Sequence, residues 1–215
     1  VRKGKDVLAS AQTGTGKTAA FALPVIQKLI ESDLSTTNAP TALVLAPTRE
    51  LAEQIANNCK EYAKHTSLKV VSLFGGVNTA GQENALKAGV DIVVATPGRL
   101  LDHIRLGNLS LANVKHLVLD EADRMLDMGF ITDMQTVIKS CADDRQILLF
   151  SATFPAAIKQ FASKVLKQPE IVRVDQTNST ASTVQHVVYP VEERRKQELL
   201  SELIGKKNWQ QVLVF

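Results

Sequence analysis

A glycine-rich loop near the start of the chain has the composition of a phosphate-binding loop. The string AQTGTGKT follows an apolar run and precedes a segment with helical spacing. Gly14 and Gly16 permit a tight turn whose N–H groups face one concavity, and the following helix N-terminus adds partial positive charge. Lys17 is placed to reach the β- and γ-phosphates of a nucleotide, and the hydroxyl of Thr18 to bind Mg²⁺. The general pattern has glycine where this chain has Ala11. The predicted nucleotide-binding residues are Ala11, Gln12, Thr13, Gly14, Thr15, Gly16, Lys17 and Thr18.

Two carboxylates follow a later apolar run, in LVLDEAD (117–123). Asp120 and Glu121 lie together at its end, where they repel each other and lose hydration. A bound cation relieves both costs, which favours Asp120 as a Mg²⁺ ligand and Glu121 as the residue that activates an attacking water. The alternative is a helix start with acidic residues in its first turn, which is common and stabilising. Together with Lys17, the pair predicts a catalytic site for nucleoside triphosphate hydrolysis.

Four further polar clusters each lie where an apolar run ends. They are APTRE (46–50), GG (75–76), TPGR (96–99) and SAT (151–153). Glycine, proline, serine and threonine are common in turns, so each cluster alone has a plain structural interpretation. In an open parallel sheet, however, the carboxyl ends of the strands share one edge, where ligands bind. We therefore expect these clusters, the glycine-rich loop and the acidic pair to meet at one edge of a folded sheet.

Seven short apolar runs must supply the strands that position these groups. They are rich in Val, Ile and Leu and nearly continuous, which is typical of strands buried on both faces in a parallel sheet. Segments with helical spacing, such as 49–65 and 155–168, separate them. Repeated strand–helix units of this length predict an α/β fold with helices on both faces of the sheet. The runs are DVLASA (6–11), TALVLA (41–46), KVVSLF (69–74), DIVVAT (91–96), KHLVLD (115–120), QILLFS (146–151) and EIVRV (170–174).

A polar break separates two parts of the chain. The segment DQTNSTAST (175–183) has no apolar periodicity and is typical of a linker. Residues 1–174 are expected to form the nucleotide-binding domain, whereas 184–215 are too few for a domain of their own. We expect the latter to begin a second α/β domain. The elements expected there are a strand at 185–191, a helix ending at Gly205 and a strand at 211–215.

Composition and charge are those of an ordinary globular protein. Hydrophobic residues make up 45% of the chain and charged residues 22%, and the formal net charge of +3 permits nucleic-acid binding without requiring it. No apolar stretch has membrane-spanning length, and the start lacks an apolar targeting core. We therefore expect a cytoplasmic protein without membrane contact. The cysteines and histidines show no metal-ligand spacing and are expected to be structural or surface residues: Cys59, Cys141, His65, His103, His116 and His186.

In their order and intervals, these motifs resemble those of the DEAD-box RNA helicases. AQTGTGKT, PTREL, GG, TPGR, DEAD and SAT are all present, and the resemblance covers 4–215. Alanine at position 11 is itself the family's usual residue. The strings DEADRMLDMGF and GKKNWQQVLVF are most similar to the bacterial RhlE-type subgroup. The resemblance implies a RecA-like P-loop nucleoside triphosphatase domain and the first elements of a second RecA-like domain, with ATP and Mg²⁺ as ligands and RNA as partner.

The resemblance also implies roles for single residues. Lys17 and Thr18 would hold phosphates and Mg²⁺, and Asp120 would complete the metal site. Glu121 would activate water. The residues implied to couple the ATP state to RNA strand separation are Asp123, Ser151, Ala152 and Thr153.

An RNA track is implied along the remaining clusters. Its residues are Pro47, Thr48, Arg49, Gly75, Gly76, Thr96, Pro97, Gly98 and Arg99. Arg49 and Arg99 follow strand ends and open helical segments, so helix N-termini can help to bind phosphate there. None of these clusters contains an aromatic residue, which favours contact with the RNA backbone, independent of sequence, over base stacking.

Two alternatives share part of the pattern. One is another RecA-like nucleoside triphosphatase, such as a DNA helicase or translocase, and the other is an RNA clamp that uses ATP only to lock onto RNA. Family members also carry an upstream glutamine that reads adenine, and second-domain arginines that complete the ATP site. Neither falls within these residues, so we expect the 215-residue chain alone to bind nucleotide weakly and not to unwind RNA.

Overall fold

The computed structural model describes residues 1–10, 16–32, 39–173 and 187–214. The chain divides into two compact units, Val1–Val174 and Asp175–Phe215. The predicted linker at 175–183 lies outside the described residues.

The first unit is built on a seven-stranded sheet. Its strands are β1 (Val7–Ser10), β2 (Ala42–Leu45), β3 (Val70–Leu73), β4 (Ile92–Ala95), β5 (His116–Leu119), β6 (Gln146–Ser151) and β7 (Glu170–Arg173). They are ordered β3-β4-β2-β5-β6-β1-β7, and every neighbouring pair is parallel. Parallel neighbours need crossover connections, and at least one helix lies between each pair of consecutive strands. The predicted parallel α/β fold is confirmed.

Helices cover both faces of this sheet. They are α1 (Lys17–Glu31), α2 (Arg49–Ala63), α3 (Thr79–Lys87), α4 (Pro97–Arg105), α5 (Ala122–Asp127), α6 (Ile131–Ser140) and α7 (Ala156–Val165). Alternate residues of β2 face opposite sides: Leu43 and Leu45 join the apolar cluster under α3 to α7, while Ala42 and Val44 join the one under α1 and α2. Each fully buried leucine contributes roughly 1.5–3 kcal/mol. No helix in the described parts of the chain is long and apolar enough to cross a membrane.

Strand β7 departs from the prediction that all seven runs are buried on both faces. Among the described strands it pairs only with β1, and it forms one edge of the sheet. Ile171 is 60% exposed and Val172 48% exposed. The apolar run therefore correctly predicted a strand, but the prediction that it is buried on both faces was wrong. Burial depends on which neighbours a strand has in the folded sheet.

Asp6 ties the start of β1 to two other strands. This carboxylate is 6% exposed. Its Oδ1 accepts a hydrogen bond of 2.7 Å from the N–H of Ile147 in β6, and its Oδ2 one of 2.7 Å from the N–H of Lys167 before β7. The carbonyl of Asp6 accepts a further bond of 2.8 Å from the N–H of Glu170. Charge-assisted bonds to backbone N–H groups compensate the buried charge and help to fix the register of three strands.

His116 lies at the first position of β5 with its ring largely withdrawn from water. Burial, reinforced by the positive charge of Lys28, lowers the pKa of His116 from 6.5 to about 4. The imidazole is therefore neutral at physiological pH and serves the fold as an uncharged group.

The described residues of the second unit, 187–214, contain one α-helix, and none of its residues is buried. A 3-10 turn at Glu193–Arg195 leads into α8 (Lys196–Lys207), which ends at Asn208 in the left-handed conformation, with φ of 48°. The predicted helix end at Gly205 is therefore short by two residues. The strands predicted at 185–191 and 211–215 are not observed in their described parts, 187–191 and 211–214, because no neighbouring backbone pairs with them.

Candidate active site

The sheet order divides the predicted site residues into two groups at its carboxyl edge. Strands β5, β6 and β1 are neighbours, and they lead to the acidic pair, to SAT and to the glycine-rich loop respectively. Strands β3, β4 and β2 are also neighbours, and they lead to GG, TPGR and PTRE. The first group contains the residues predicted to bind a triphosphate and Mg²⁺, and the second contains the two arginines predicted to contact RNA.

Lys17 and Asp120 form a buried ion pair in the first group. Lys17 opens α1 directly after Gly16, whose φ of 81° lies in the region that favours glycine. Lys17 Nζ lies 3.4 Å from Asp120 Oδ1, and their side chains are 7% and 2% exposed. Burial raises the pKa of Asp120 above its ordinary value, while the charge of Lys17 and the N–H of Glu121 oppose that rise. The predicted residues at 11–15 lie outside the described residues.

Glu121 is held in an unusual backbone conformation beside this pair. Its φ and ψ are both 51°, in the left-handed region, where a residue other than glycine is uncommon. The N–H of Glu121 donates a bond of 3.0 Å to Asp120 Oδ1. Its Oε2 lies 3.3 Å from Nη1 of Arg124, and its side chain is 14% exposed. Such conformations persist where surrounding contacts determine them and concentrate at functional sites.

An open cavity of about 270 Å³ joins these groups. Its walls include Gly16, Lys17, Thr18, Asp120 and Glu121. Four further lining residues come from α2, and none of them was predicted to lie at the site. The α2 residues that line the cavity are Leu51, Gln54, Asn58 and Tyr62. Their spacing of three to four residues places them on one face of a helix, but the same spacing is typical of core packing and gave no separate signal.

The residues around the cavity fit a magnesium ion held with a nucleotide. Within the described ranges, no group of three or more His, Cys, Asp or Glu side chains is arranged so that it could hold a metal ion by itself. Mg²⁺ commonly uses only one or two carboxylates and completes its shell with water and substrate phosphates. Asp120, with its desolvated carboxylate at the cavity, and Thr18, with its hydroxyl, supply such a donor set.

Asp123 and Thr153 connect the acidic segment to SAT. Oδ2 of Asp123 accepts bonds from the Thr153 N–H at 2.9 Å and the Thr153 hydroxyl at 2.7 Å. The hydroxyl of Ser151 donates to the Thr153 carbonyl at 2.6 Å, and Ser151 is fully buried. Burial raises the pKa of Asp123, but hydrogen bonds from Thr153 and from the Arg124 N–H outweigh this effect and leave the pKa below its ordinary value. Ala152 lies exposed between them.

Arg49 in the second group rests against an aromatic ring. Its guanidinium lies 5.1 Å from the centroid of Phe74. Gly76 has φ of 79°, and a Cβ there would lie 3.4 Å from Nη1 of Arg49. The glycine therefore supplies the turn and lets the arginine pass close to it. Gly75 and Gly76 are both exposed.

Several residues predicted to contact RNA also cap helices. The hydroxyl of Thr48 accepts a bond of 3.3 Å from the Leu51 N–H, which satisfies the first turn of α2. Thr96 is the N-cap residue of α4, and Pro97 fills its first position, a common site for proline. Pro47 and Pro97 are buried, so they shape the backbone and present no side chain to solvent. Gly98 is exposed and Arg99 half-buried.

The sequence model of the DEAD/DEAH box helicase family matches residues 1–161. This chain belongs to that family. It is 44% identical over 213 residues to the ATP-dependent RNA helicase DeaD of Escherichia coli K12, which covers 99% of this chain and 33% of DeaD. It is 41% identical over 211 residues to the DEAD-box ATP-dependent RNA helicase CshA of Bacillus subtilis 168, covering 98% of this chain and 42% of CshA.

A solved structure of a DEAD box protein from Methanococcus jannaschii is similar to this DEAD-box chain, with a TM-score of 0.72 and 39% identity. The similarity covers 93% of this chain and 52% of that protein. It confirms the predicted RecA-like fold. The chain spans well under half the length of the curated relatives DeaD and CshA. Their names do not test the RhlE-type assignment, which stays a prediction.

Proposed function

We propose that the full-length protein is an ATP-dependent RNA helicase, in which RNA stimulates ATP hydrolysis and hydrolysis drives local opening of RNA duplexes. The observation that carries this proposal is the Lys17–Asp120 pair beside Glu121, facing one cavity at the ends of adjacent strands. Membership of the DEAD/DEAH box helicase family and the names of its relatives support it. The same features support assignment as an ATP hydrolase.

In the nucleotide site, each residue is proposed to act through the chemistry of its end group. Lys17 binds the β- and γ-phosphates and offsets their charge. Thr18 and Asp120 would hold Mg²⁺, which lowers the cost of charge that develops on the phosphates. Glu121 orients the attacking water and accepts its proton. The 3.3 Å contact with Arg124 holds the Glu121 carboxylate at the cavity wall.

Coupling between ATP and RNA is proposed to run through Asp123. Its two hydrogen bonds with Thr153 join the segment that carries Glu121 to the SAT segment. Asp123 lies two residues after Glu121 in the sequence. A shift of Glu121 on nucleotide binding is therefore proposed to move Asp123, and Thr153 with it. The buried Ser151 holds the other side of this connection.

RNA is proposed to bind through its phosphates, over the segments that follow β2, β3 and β4. Arg49 is exposed and Arg99 half-buried there, and both lie at helix N-termini where partial positive charge adds to their own. The remaining polar groups of this surface are backbone and small side chains. These contacts read no base edges, so binding is proposed to be independent of sequence.

The nature of the activating nucleic acid separates this proposal from a DNA helicase or translocase. ATP hydrolysis by the full-length protein should be measured with single-stranded RNA and with DNA of equal sequence, since the 2′-hydroxyl is the chemical difference. We expect stimulation by RNA of at least about tenfold over that by DNA. Equal stimulation by both would favour the alternative.

The same assay addresses an RNA clamp that binds ATP without turnover. Lys17, Asp120 and Glu121 are all retained, and nothing in the described residues accounts for a loss of catalysis. Multiple turnovers per protein are therefore expected. For the 215-residue chain alone we propose weak nucleotide binding and no strand separation; measurable unwinding of a short RNA duplex by it would contradict this.

A further inference from the structure

A polar network beneath the proposed RNA surface centres on Gln82. This side chain lies on α3 and is 8% exposed. Its Nε2 donates a bond of 3.0 Å to the carbonyl of Phe74, the residue that precedes the two glycines. Because a carbonyl can only accept, this bond fixes the orientation of the amide. Oε1 of Gln82 must then serve as the acceptor for the neighbours on α4.

His103 holds Gln82 from the other side. It is fully buried, and its Nε2 lies 3.0 Å from Gln82 Oε1. Since Oε1 is an acceptor, Nε2 carries the proton, and Nδ1 is free to accept the bond of 3.3 Å from the amide of Asn108. Burial, followed by the charge of Arg99, lowers the pKa of His103, against opposing effects of Glu83 and Asp102. The neutral ring with this one tautomer completes the network.

Gln82 therefore contacts groups that hold two arginines in place, Arg49 and Arg99. Its bond to the Phe74 carbonyl anchors Phe74, whose ring contacts the guanidinium of Arg49. Its Oε1 also lies 3.5 Å from Nη1 of Arg99, which donates a second bond of 3.3 Å to the Val77 carbonyl. Arg49 follows β2 and Arg99 follows β4, and these strands are paired neighbours, so the segments that carry the two arginines start about 5 Å apart.

We propose that Gln82 and His103 are positioning residues, which hold Arg49 and Arg99 in the spacing that binds the phosphates of one RNA strand. Gln82 fixes the backbone of Phe74 and the side chain of Arg99 relative to each other. His103 fixes the orientation of the Gln82 amide. This inference rests on the proposed RNA-binding function. Both residues lie outside the family motifs named in the sequence analysis. Both are buried, so neither is proposed to contact RNA directly.

The test compares RNA affinity with nucleotide affinity in the full-length protein. Gln82→Met keeps the volume and removes both hydrogen-bonding groups. Its Kd for a labelled single-stranded RNA, measured with a non-hydrolysable ATP analogue, should rise about tenfold, because charge-assisted contacts to phosphate are lost. Affinity for a fluorescent ATP analogue without RNA should change less than about twofold. Gln160→Met, at an exposed position on α7, is the matched control and should leave both unchanged.

Salt dependence separates positioning from a general loss of stability. Each lost phosphate contact on single strands reduces the slope of log Kd against log salt by about 0.7, so Gln82→Met should reduce it by about 0.7 to 1.4. In a background with Arg49→Ala and Arg99→Ala, Gln82→Met should add no further loss of RNA affinity. An unchanged slope, or a full additional loss in that background, would overturn the proposal.

The His103 variants keep the proposal testable if Gln82→Met does not fold. His103→Gln retains a donor that can reach Gln82, whereas His103→Leu retains none. We expect His103→Leu to weaken RNA binding and His103→Gln to restore most of it; equal RNA affinities would contradict the positioning role. If Arg49→Ala and Arg99→Ala themselves leave RNA binding unchanged, the RNA surface is wrong and this inference falls with it. If they weaken binding but the Gln82 and His103 variants do not, only the positioning role is overturned.

Discussion

Replacement of Lys17 by methionine is expected to destabilise the nucleotide-free chain, because it leaves the buried carboxylate of Asp120 without a cation. Methionine preserves most of the volume of the lysine stem, so the change isolates the charge. Asp120 is 2% exposed, and among the described residues its carboxylate would keep one hydrogen bond, from the N–H of Glu121 at 3.0 Å.

The expected magnitude follows from the position of the ion pair. Removing one partner of a buried pair costs about 3–5 kcal/mol. The pair borders the open cavity, where water reduces the penalty, so we expect the lower end, about 3 kcal/mol. Asp120→Asn should cost a similar amount, since it leaves Lys17 as the unpaired charge. The double variant removes both charges and should lose less than about 2 kcal/mol, giving a strong coupling between the two positions.

Urea unfolding of the 215-residue chain in EDTA without nucleotide measures this cycle. Circular dichroism is the suitable signal, because the only tryptophan, Trp209, lies in the second unit. With a slope of about 2 kcal/mol per molar urea, Lys17→Met should lower the midpoint by about 1.5 M. If the two single variants each cost less than 1 kcal/mol, or if their costs simply add in the double variant, the two charges are not a buried pair in the nucleotide-free protein.

Three further changes test other parts of the structure. Asp123→Ala removes the acceptor of both Thr153 bonds, so RNA unwinding by the full-length protein should fall about tenfold more than its RNA-stimulated ATP hydrolysis; equal losses would contradict a coupling role. Asp6→Ala leaves the buried N–H of Ile147 and the part-buried N–H of Lys167 without an acceptor and should lower the free energy of unfolding by about 2–4 kcal/mol in a urea titration; Asp6→Asn keeps one acceptor and should lose about half of that, so equal costs would contradict this account. The pKa of His116 is about 4 in the folded chain against an ordinary 6.5. Its contribution to the free energy of unfolding is therefore fully present above pH 6.5 and is lost as the pH falls towards 4, by about 3 kcal/mol in all. His116→Gln should reduce the loss of stability between pH 6.5 and pH 4. A dependence of stability on pH equal to that of the wild type would refute the lowered pKa of His116.

The parallel sheet and the meeting of the polar clusters at one edge were predictable from the sequence. Apolar runs and helical spacing fix the elements, and the carboxyl ends of parallel strands share an edge whatever the details of packing. Lys17 and Asp120 are more than a hundred residues apart, yet this rule brings them to 3.4 Å. The rule does not fix the sheet order, which also sets β7 at an exposed edge.

Other features depend on contacts that leave no local pattern. Gln82 and His103 are single polar residues in helices, and only the packing of α3 against α4 makes them partners. Phe74 reads as the last apolar residue of a strand, although its ring supports Arg49. Asp6 resembles a surface carboxylate until the strands close around it. Strands predicted in the second unit fail for the converse reason, since a strand forms only when another backbone pairs with it.

The most direct test of the central claim is the rate of the chemical step in Glu121→Gln. Single-turnover hydrolysis of labelled ATP should be measured on the full-length protein with Mg²⁺ and saturating single-stranded RNA. The cavity that Glu121 shares with Lys17 and Asp120 predicts a rate about 10²–10⁴-fold below the wild type, with affinities for ATP and RNA within about threefold. Hydrolysis at the wild-type rate would show that Glu121 does not activate the water and would contradict the proposed site.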